Sequence, residues 1–152
     1  MFSEGEGFMD IKRDKYLNDL INRMHNGMIK VVTGIRRCGK SYLLFNIFKN
    51  YLLEQGVPAS HIIMIELDQR KNKKYRDPDV ILDYIESLIE EDGQYYIMLD
   101  EVQMLQEFEE VLNSLLHIRN ADVYVTGSNS KFLSKDVITE FRGRGDEIHI
   151  YP

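Results

Sequence analysis

One cysteine, Cys38, stands in 152 residues, so no internal disulfide can staple the fold. The histidines His25, His61, His117 and His149 are scattered without metal-ligand spacing, and no structural zinc is expected. Cations do not outnumber acids: 19 lysines and arginines against 25 aspartates and glutamates leave a net charge of −6. That balance excludes the uniformly basic surface non-specific nucleic-acid binding needs, though not a local basic face. No apolar run approaches the ~20 residues that span a bilayer. The first ten residues, MFSEGEGFMD, carry three acids and no basic n-region, so neither a secretory leader nor a membrane anchor is read there. No internal repeat or low-complexity segment is visible. The expectation is a reduced, cytoplasmic protein of one domain, residues 1–152, whose 43% hydrophobic content suffices for a single core.

The apolar pattern switches between short runs and helical spacing, as alternating strands and helices do. Tyr16, Leu17, Leu20, Ile21 and Met24 share one face of a helix predicted over 10–25, ended by Asn26-Gly27. Strands are predicted at Met28–Thr33, His61–Leu67, Tyr95–Leu99 with Asp100 at its end, Asp122–Thr126 and Glu147–Tyr151. Helices are predicted over 41–54, from Asp77-Pro78 to about Asp92-Gly93, and around Phe108–Leu116. Asp77 has the chemistry of an N-cap and Pro78 suits the first helical position. Strands separated by helix-length crossovers must largely pair in parallel. The fold class is therefore α/β, with five strands in a doubly wound sheet.

Directly after the first strand comes Gly34-Ile35-Arg36-Arg37-Cys38-Gly39-Lys40-Ser41, the G-x-x-x-x-G-K-[ST] pattern, opening a helix, and this run with Tyr42 is taken as the nucleotide-binding segment. Gly34 and Gly39 allow backbone conformations in which successive N–H groups turn inward as an anion nest. The helix start adds its positive dipole end to that pocket. Lys40 is expected on the β- and γ-phosphates of a nucleotide and the Ser41 hydroxyl on Mg²⁺. Arg36 and Arg37 either touch phosphates or face solvent, and Cys38 is read as a small residue filling the loop.

The strand Tyr95–Leu99 ends in two adjacent acids, which a metal and a water would explain. Asp100 is assigned to the hydrated Mg²⁺ and Glu101 to the attacking water as general base. The strand Asp122–Thr126 leads into Gly127-Ser128-Asn129-Ser130. Asn129 is the first choice to contact the γ-phosphate or orient the water, with Ser128 and Thr126 behind it. Arg142 and Arg144 are candidates for transition-state charge, in cis or toward a neighbouring copy, against a solvated turn. Tyr16 is weighed as an adenine platform against a core tyrosine. The basic run Arg70, Lys71, Lys73, Lys74, Arg76 is weighed as a nucleic-acid contact against a solvated loop.

With these residues in place, TGIRRCGKSY…LDEVQ…VTGSNS…FRGRG…IYP resembles a family of bacterial and archaeal AAA-like ATPases, from about Arg13 to Pro152. The resemblance implies a three-layer P-loop NTPase core with sheet order 5-1-4-3-2, ATP as nucleotide, Mg²⁺, and a lid and nuclease-like C-terminal domain that lie beyond this chain. It implies partners in ATP or ADP and the missing C-terminal domain; self-association and DNA are left open. Asp-Glu-Val-Gln is also similar to helicase second motifs, without further helicase elements. The competing readings are a nucleotide-dependent switch that hardly hydrolyses and a small-molecule P-loop kinase. The adjacent acids weigh against the kinase, and the lack of an Asn-Lys-x-Asp sequence weighs against a GTPase.

Overall fold

The computed structural model describes residues 4–34, 39–90, 92–128 and 145–151, with side chains from Arg13 onward. Five parallel strands form one sheet: β1 (Ile29–Thr33), β2 (Ile62–Glu66), β3 (Tyr95–Asp100), β4 (Ala121–Gly127) and β5 (Gly145–His149). Their order is β2-β3-β4-β1-β5. Read from the other edge this is 5-1-4-3-2, as the resemblance implied.

Helices cover both faces. Residues alternate across a strand with period two, and β3 is buried on both sides. Ile97 and Leu99 face a cluster built with Ile81 and Ile85 of α4 (Pro78–Leu88) and with Phe108, Val111, Leu112 and Leu115 of α5 (Phe108–Leu116). Tyr96 and Met98 face the second cluster, built with Tyr16 and Leu20 of α1 (Glu4–Arg23) and with Leu43, Leu44, Phe48 and Leu52. The last four lie on a helical stretch in which α2 (Lys40–Tyr42) passes through a π-helical segment, Leu43–Phe48, into α3 (Lys49–Glu54). Emptying one such position, as in Leu20→Ala, removes packing of about 2–5 kcal/mol.

Several boundaries differ from expectation. The helix α1 begins at Glu4 and ends at Arg23, because His25 at φ 60° and Gly27 at φ 80° leave the right-handed region. Asp77 caps α4 as read, its Oδ1 accepting from the N–H groups of Asp79 and Val80 at 3.0 and 3.2 Å. That helix stops at Leu88, short of Asp92-Gly93. Segment 69–79, taken as a polar loop, contains a 3₁₀ helix over Arg70–Arg76. Asn72 Nδ2 donating to Glu66 O and Arg76 Nε donating to Leu67 O tie it to the end of β2. The last strand spans 145–149 where 147–151 was expected: Gly145 pairs with Ile29 and His149 with Thr33. Arg23 and Asn26 both donate to the Asp146 carboxylate, which fixes that start. No helix among the described residues is long and apolar enough to cross a membrane.

Candidate nucleotide site

A doubly wound sheet brings the carboxyl ends of its inner strands to one edge, where ligands of such folds bind. There β1 delivers Gly34, β3 delivers Asp100 and Glu101, and β4 delivers Thr126, Gly127 and Ser128. Gly39 adopts φ 95°, ψ 14° at the start of α2, a left-handed conformation that a Cβ would strain. Lys40 follows, 4% exposed, its Nζ donating to Gly34 O at 3.0 Å. Ile35, Arg36, Arg37 and Cys38 lie outside the described residues.

Ser41, on the first turn of α2, donates from Oγ to Asp100 Oδ1 at 2.7 Å. Thr126 Oγ1 donates to the same Oδ1 at 2.5 Å. Asp100 is buried, and burial raises its pKa above the ordinary carboxylate value, opposed by the Thr126 and Ser41 hydroxyls and reinforced by the negative charges of Glu101 and Asp68. An acid whose charge is disfavoured this way is ready for a cation, which reverses the penalty. Hard oxygen donors from a hydroxyl and a carboxylate suit Mg²⁺, which takes few protein ligands and completes its shell with water and phosphate oxygens. The residues present therefore fit the metal.

Glu101 takes φ 54°, ψ 55°, left-handed backbone that costs a non-glycine residue roughly 1–2 kcal/mol. The bend turns the chain out of β3 into a 3₁₀ turn, Val102–Met104. Its N–H is satisfied by Thr126 Oγ1 at 2.9 Å. Its carboxylate Oε2 accepts from Ser128 Oγ at 2.7 Å and from Gln103 Nε2 at 2.5 Å. Strain at a carboxylate this closely held makes Glu101 a candidate for function.

Gln103 was not foreseen. A carboxylate only accepts, so its amide nitrogen must face Glu101, and its Oε1 is left buried without a hydrogen-bond partner among the described residues. The available signal was a polar side chain in the otherwise apolar run Val102–Leu105. Thr126 and Ser128, ranked behind Asn129, are the β4-end residues that contact the acids; Asn129, Arg142 and Arg144 lie outside the described residues. Tyr16 is a core residue, its hydroxyl accepting from Tyr151 N–H at 3.1 Å, the alternative weighed against an adenine platform. Tyr42 is 47% exposed, with the Arg13 guanidinium 5.1 Å from its ring centre.

Residues 26–152 match a family described as AAA domain. The chain is 33% identical over 143 residues to an uncharacterized protein of Haemophilus influenzae, covering 93% of this chain and 36% of that one. It is 27% identical over 146 residues to an uncharacterized protein of Methanocaldococcus jannaschii, covering 93% and 30%. The chain thus spans about a third of the length of these relatives. Among solved structures, Drosophila ORC bound to GC-rich DNA and Cdc6 matches with a TM-score of 0.63 at 13% identity, over 99% of this chain and 62% of that one. Caenorhabditis elegans PCH-2 matches with a TM-score of 0.57 at 15% identity, over 95% and 42%. At these identities the likeness is one of fold.

Proposed function

The chain belongs to the AAA domain family, and from that premise we propose that it binds ATP with Mg²⁺ at the carboxyl edge of its sheet, hydrolyses it, and passes the nucleotide's state to the rest of a longer protein. One observation supports this most: Ser41 on α2 and Asp100 on β3 share a hydrogen bond, so loop hydroxyl and strand carboxylate meet at a single point. A phosphate-loop match alone would not require it.

In the proposed cycle Lys40 exchanges Gly34 O for the β- and γ-phosphate oxygens. Ser41 and Asp100 would hold the cation, which when bound neutralises charge on the phosphates. Glu101 accepts a proton from the water that attacks the γ-phosphorus while the bond to the β-phosphate oxygen breaks. Ser128 and Gln103 set the direction in which that carboxylate points, and Thr126 holds both acids on one hydroxyl.

The test is ATP turnover and ATP affinity of the full chain beside Glu101→Gln and Lys40→Ala. Removing the base should lower kcat about 100-fold or more with affinity retained, and removing the ammonium should weaken binding itself. Unchanged turnover in Glu101→Gln excludes the assigned base; unchanged affinity in Lys40→Ala excludes the site. Tight binding without turnover by the native chain would leave a nucleotide switch.

A further inference from the structure

The 3₁₀ helix Arg70–Arg76 holds five of the chain's 19 lysines and arginines within seven residues, with no acid among them. A 3₁₀ helix repeats every three residues, which sorts its side chains into three rows. Asn72 and Tyr75 form the inward row: Asn72 donates to Glu66 O, and the Tyr75 ring stacks on Tyr84 with centres 4.6 Å apart, against the core. Both outward rows are cationic, Arg70-Lys73-Arg76 and Lys71-Lys74. Arg76 is turned back to Leu67 O. Arg70, Lys71, Lys73 and Lys74 are exposed, and none forms an ion pair with a described residue. Lys74 Nζ lies 5.0 Å from the centre of the Tyr75 ring; in a chain of net charge −6, four cations without a described ion pair on one short, pinned element are not average surface composition.

The segment also borders a recess of about 580 Å³, lined by Lys73, Lys74, Arg76, Asp77, Met104 and Gln106. The Asp77 carboxylate is occupied in capping α4. Gln106 N–H donates to Arg76 O at 2.9 Å, which fixes the far wall. Met104 is 39% exposed, a soft, polarizable surface suited to a flat ring. Cations one turn apart on a 3₁₀ row stand about 6 Å apart, an interval like that between successive phosphates of one strand. An acidic polypeptide would meet the cations as well, but its carboxylates have no fixed spacing to match this interval, whereas a strand brings phosphates and flat bases in regular alternation.

We propose that the cationic rows of residues 70–76, together with the recess floored by Met104, form a binding surface for a single-stranded nucleic acid, with phosphates on the lysines and arginines and a base over Met104. This goes beyond ATP hydrolysis and does not depend on it.

The experiment is fluorescence anisotropy of a labelled oligothymidylate with the full chain across a salt series, beside a triple variant, Lys71→Glu with Lys73→Glu and Lys74→Glu, and beside Met104→Ala. Thermal unfolding of each variant reports folding. The native chain should bind the strand at low salt. The triple variant should bind at least about tenfold more weakly, with the slope of log affinity against log salt reduced by about two, since each lost single-strand phosphate contact removes about 0.7. Met104→Ala should weaken binding a few-fold without changing the slope. Absence of binding by the native chain, or equal binding by a folded triple variant, overturns the proposal. Equally tight binding of a polyglutamate or of a duplex overturns it too, in favour of an acidic polypeptide or of backbone contact alone.

Discussion

Thr126 donates its hydroxyl proton to Asp100 Oδ1 at 2.5 Å and, with the same oxygen, accepts the main-chain N–H of Glu101 at 2.9 Å. One fully buried group on β4 thereby fixes the positions of Asp100 at the end of β3 and of Glu101 just after it. Parallel register makes this possible, since Leu99 stands opposite Val125 and the next residues of both strands meet at the edge. Thr126→Val keeps the shape and removes the hydroxyl, leaving the Glu101 N–H buried and unpaired. A loss of about 1–3 kcal/mol in stability is expected, measurable by urea unfolding, with a fall in ATP turnover of roughly tenfold or more. Thr126→Ser should restore most of both. A valine variant with native turnover would show that the bridge does not position the base.

Gln103 should behave in the opposite sense for stability. Its amide donates to Glu101 while its Oε1 is buried without a partner among the described residues, and an orphaned buried acceptor costs about 1–3 kcal/mol. Replacing the amide with a thioether of similar length, Gln103→Met, removes that penalty together with one hydrogen bond. Stability should hold or rise slightly by thermal melting, whereas kcat should fall several-fold and ATP affinity stay constant. Lower stability with unchanged kcat would make Gln103 an ordinary packing residue.

The sheet was legible because its physics is local. The runs at Val31–Thr33, Ile62–Ile65 and Tyr95–Leu99 have the β-branched, apolar character of buried parallel strands, and the spacing between them forces crossovers. The meeting of Ser41 with Asp100 was legible because each follows a strand predicted to end at the same edge of a parallel sheet. What escaped depended on tertiary partners. Nothing in Asn-Lys-Lys-Tyr declares a 3₁₀ helix, since Glu66 O and Leu67 O hold it from outside. The start of β5 is likewise set by Arg23 and Asn26 on Asp146, more than a hundred residues away. The contacts of Thr126 and Ser128 with the acids also depend on the register of β4 against β3, which side-chain chemistry alone does not give.

Under the proposed function, Asp100 carries a cost in stability that a bound cation would offset. Its folded-state pKa is raised, chiefly by burial. The native fold therefore holds the proton more tightly than the unfolded chain, and stability present at low pH is lost as the pH rises through the raised value. Asp100→Asn keeps an acceptor for Ser41 and Thr126 and has no charge to bury. In the absence of metal the variant should equal or exceed the native protein near neutral pH, by on the order of 1 kcal/mol, and the advantage should shrink as the pH falls toward the ordinary aspartate range. Mg²⁺ with nucleotide should stabilise the native protein and not the variant. Melting curves over a pH series decide it, and a variant much weaker than native in metal-free buffer would contradict the argument.

At the opposite end of the sheet, Lys30 is completely buried and paired with Asp122. Its ammonium also donates to Met28 O at 2.7 Å and Asn26 Oδ1 at 3.2 Å. Asp122 Oδ2 accepts from the Tyr124 hydroxyl and from His25 N–H. Burial, and after it the Asp122 charge, push the Tyr124 phenol far above its ordinary range, so it remains a donor. The network fastens the turn between α1 and β1 to β4, and it leaves the phosphate edge alone because Lys30 lies near the start of β1 and Gly34 follows its end. Breaking one side leaves a charge buried without its partner: Lys30→Met should cost about 3 kcal/mol or more. Adding Asp122→Asn to that variant removes the stranded charge and should recover part of the loss, a coupling that a double-mutant cycle measures directly. ATP affinity should stay within about twofold throughout. Strictly additive losses would mean that the two side chains hold the fold independently, and a large loss of affinity would mean that the turn reaches the nucleotide.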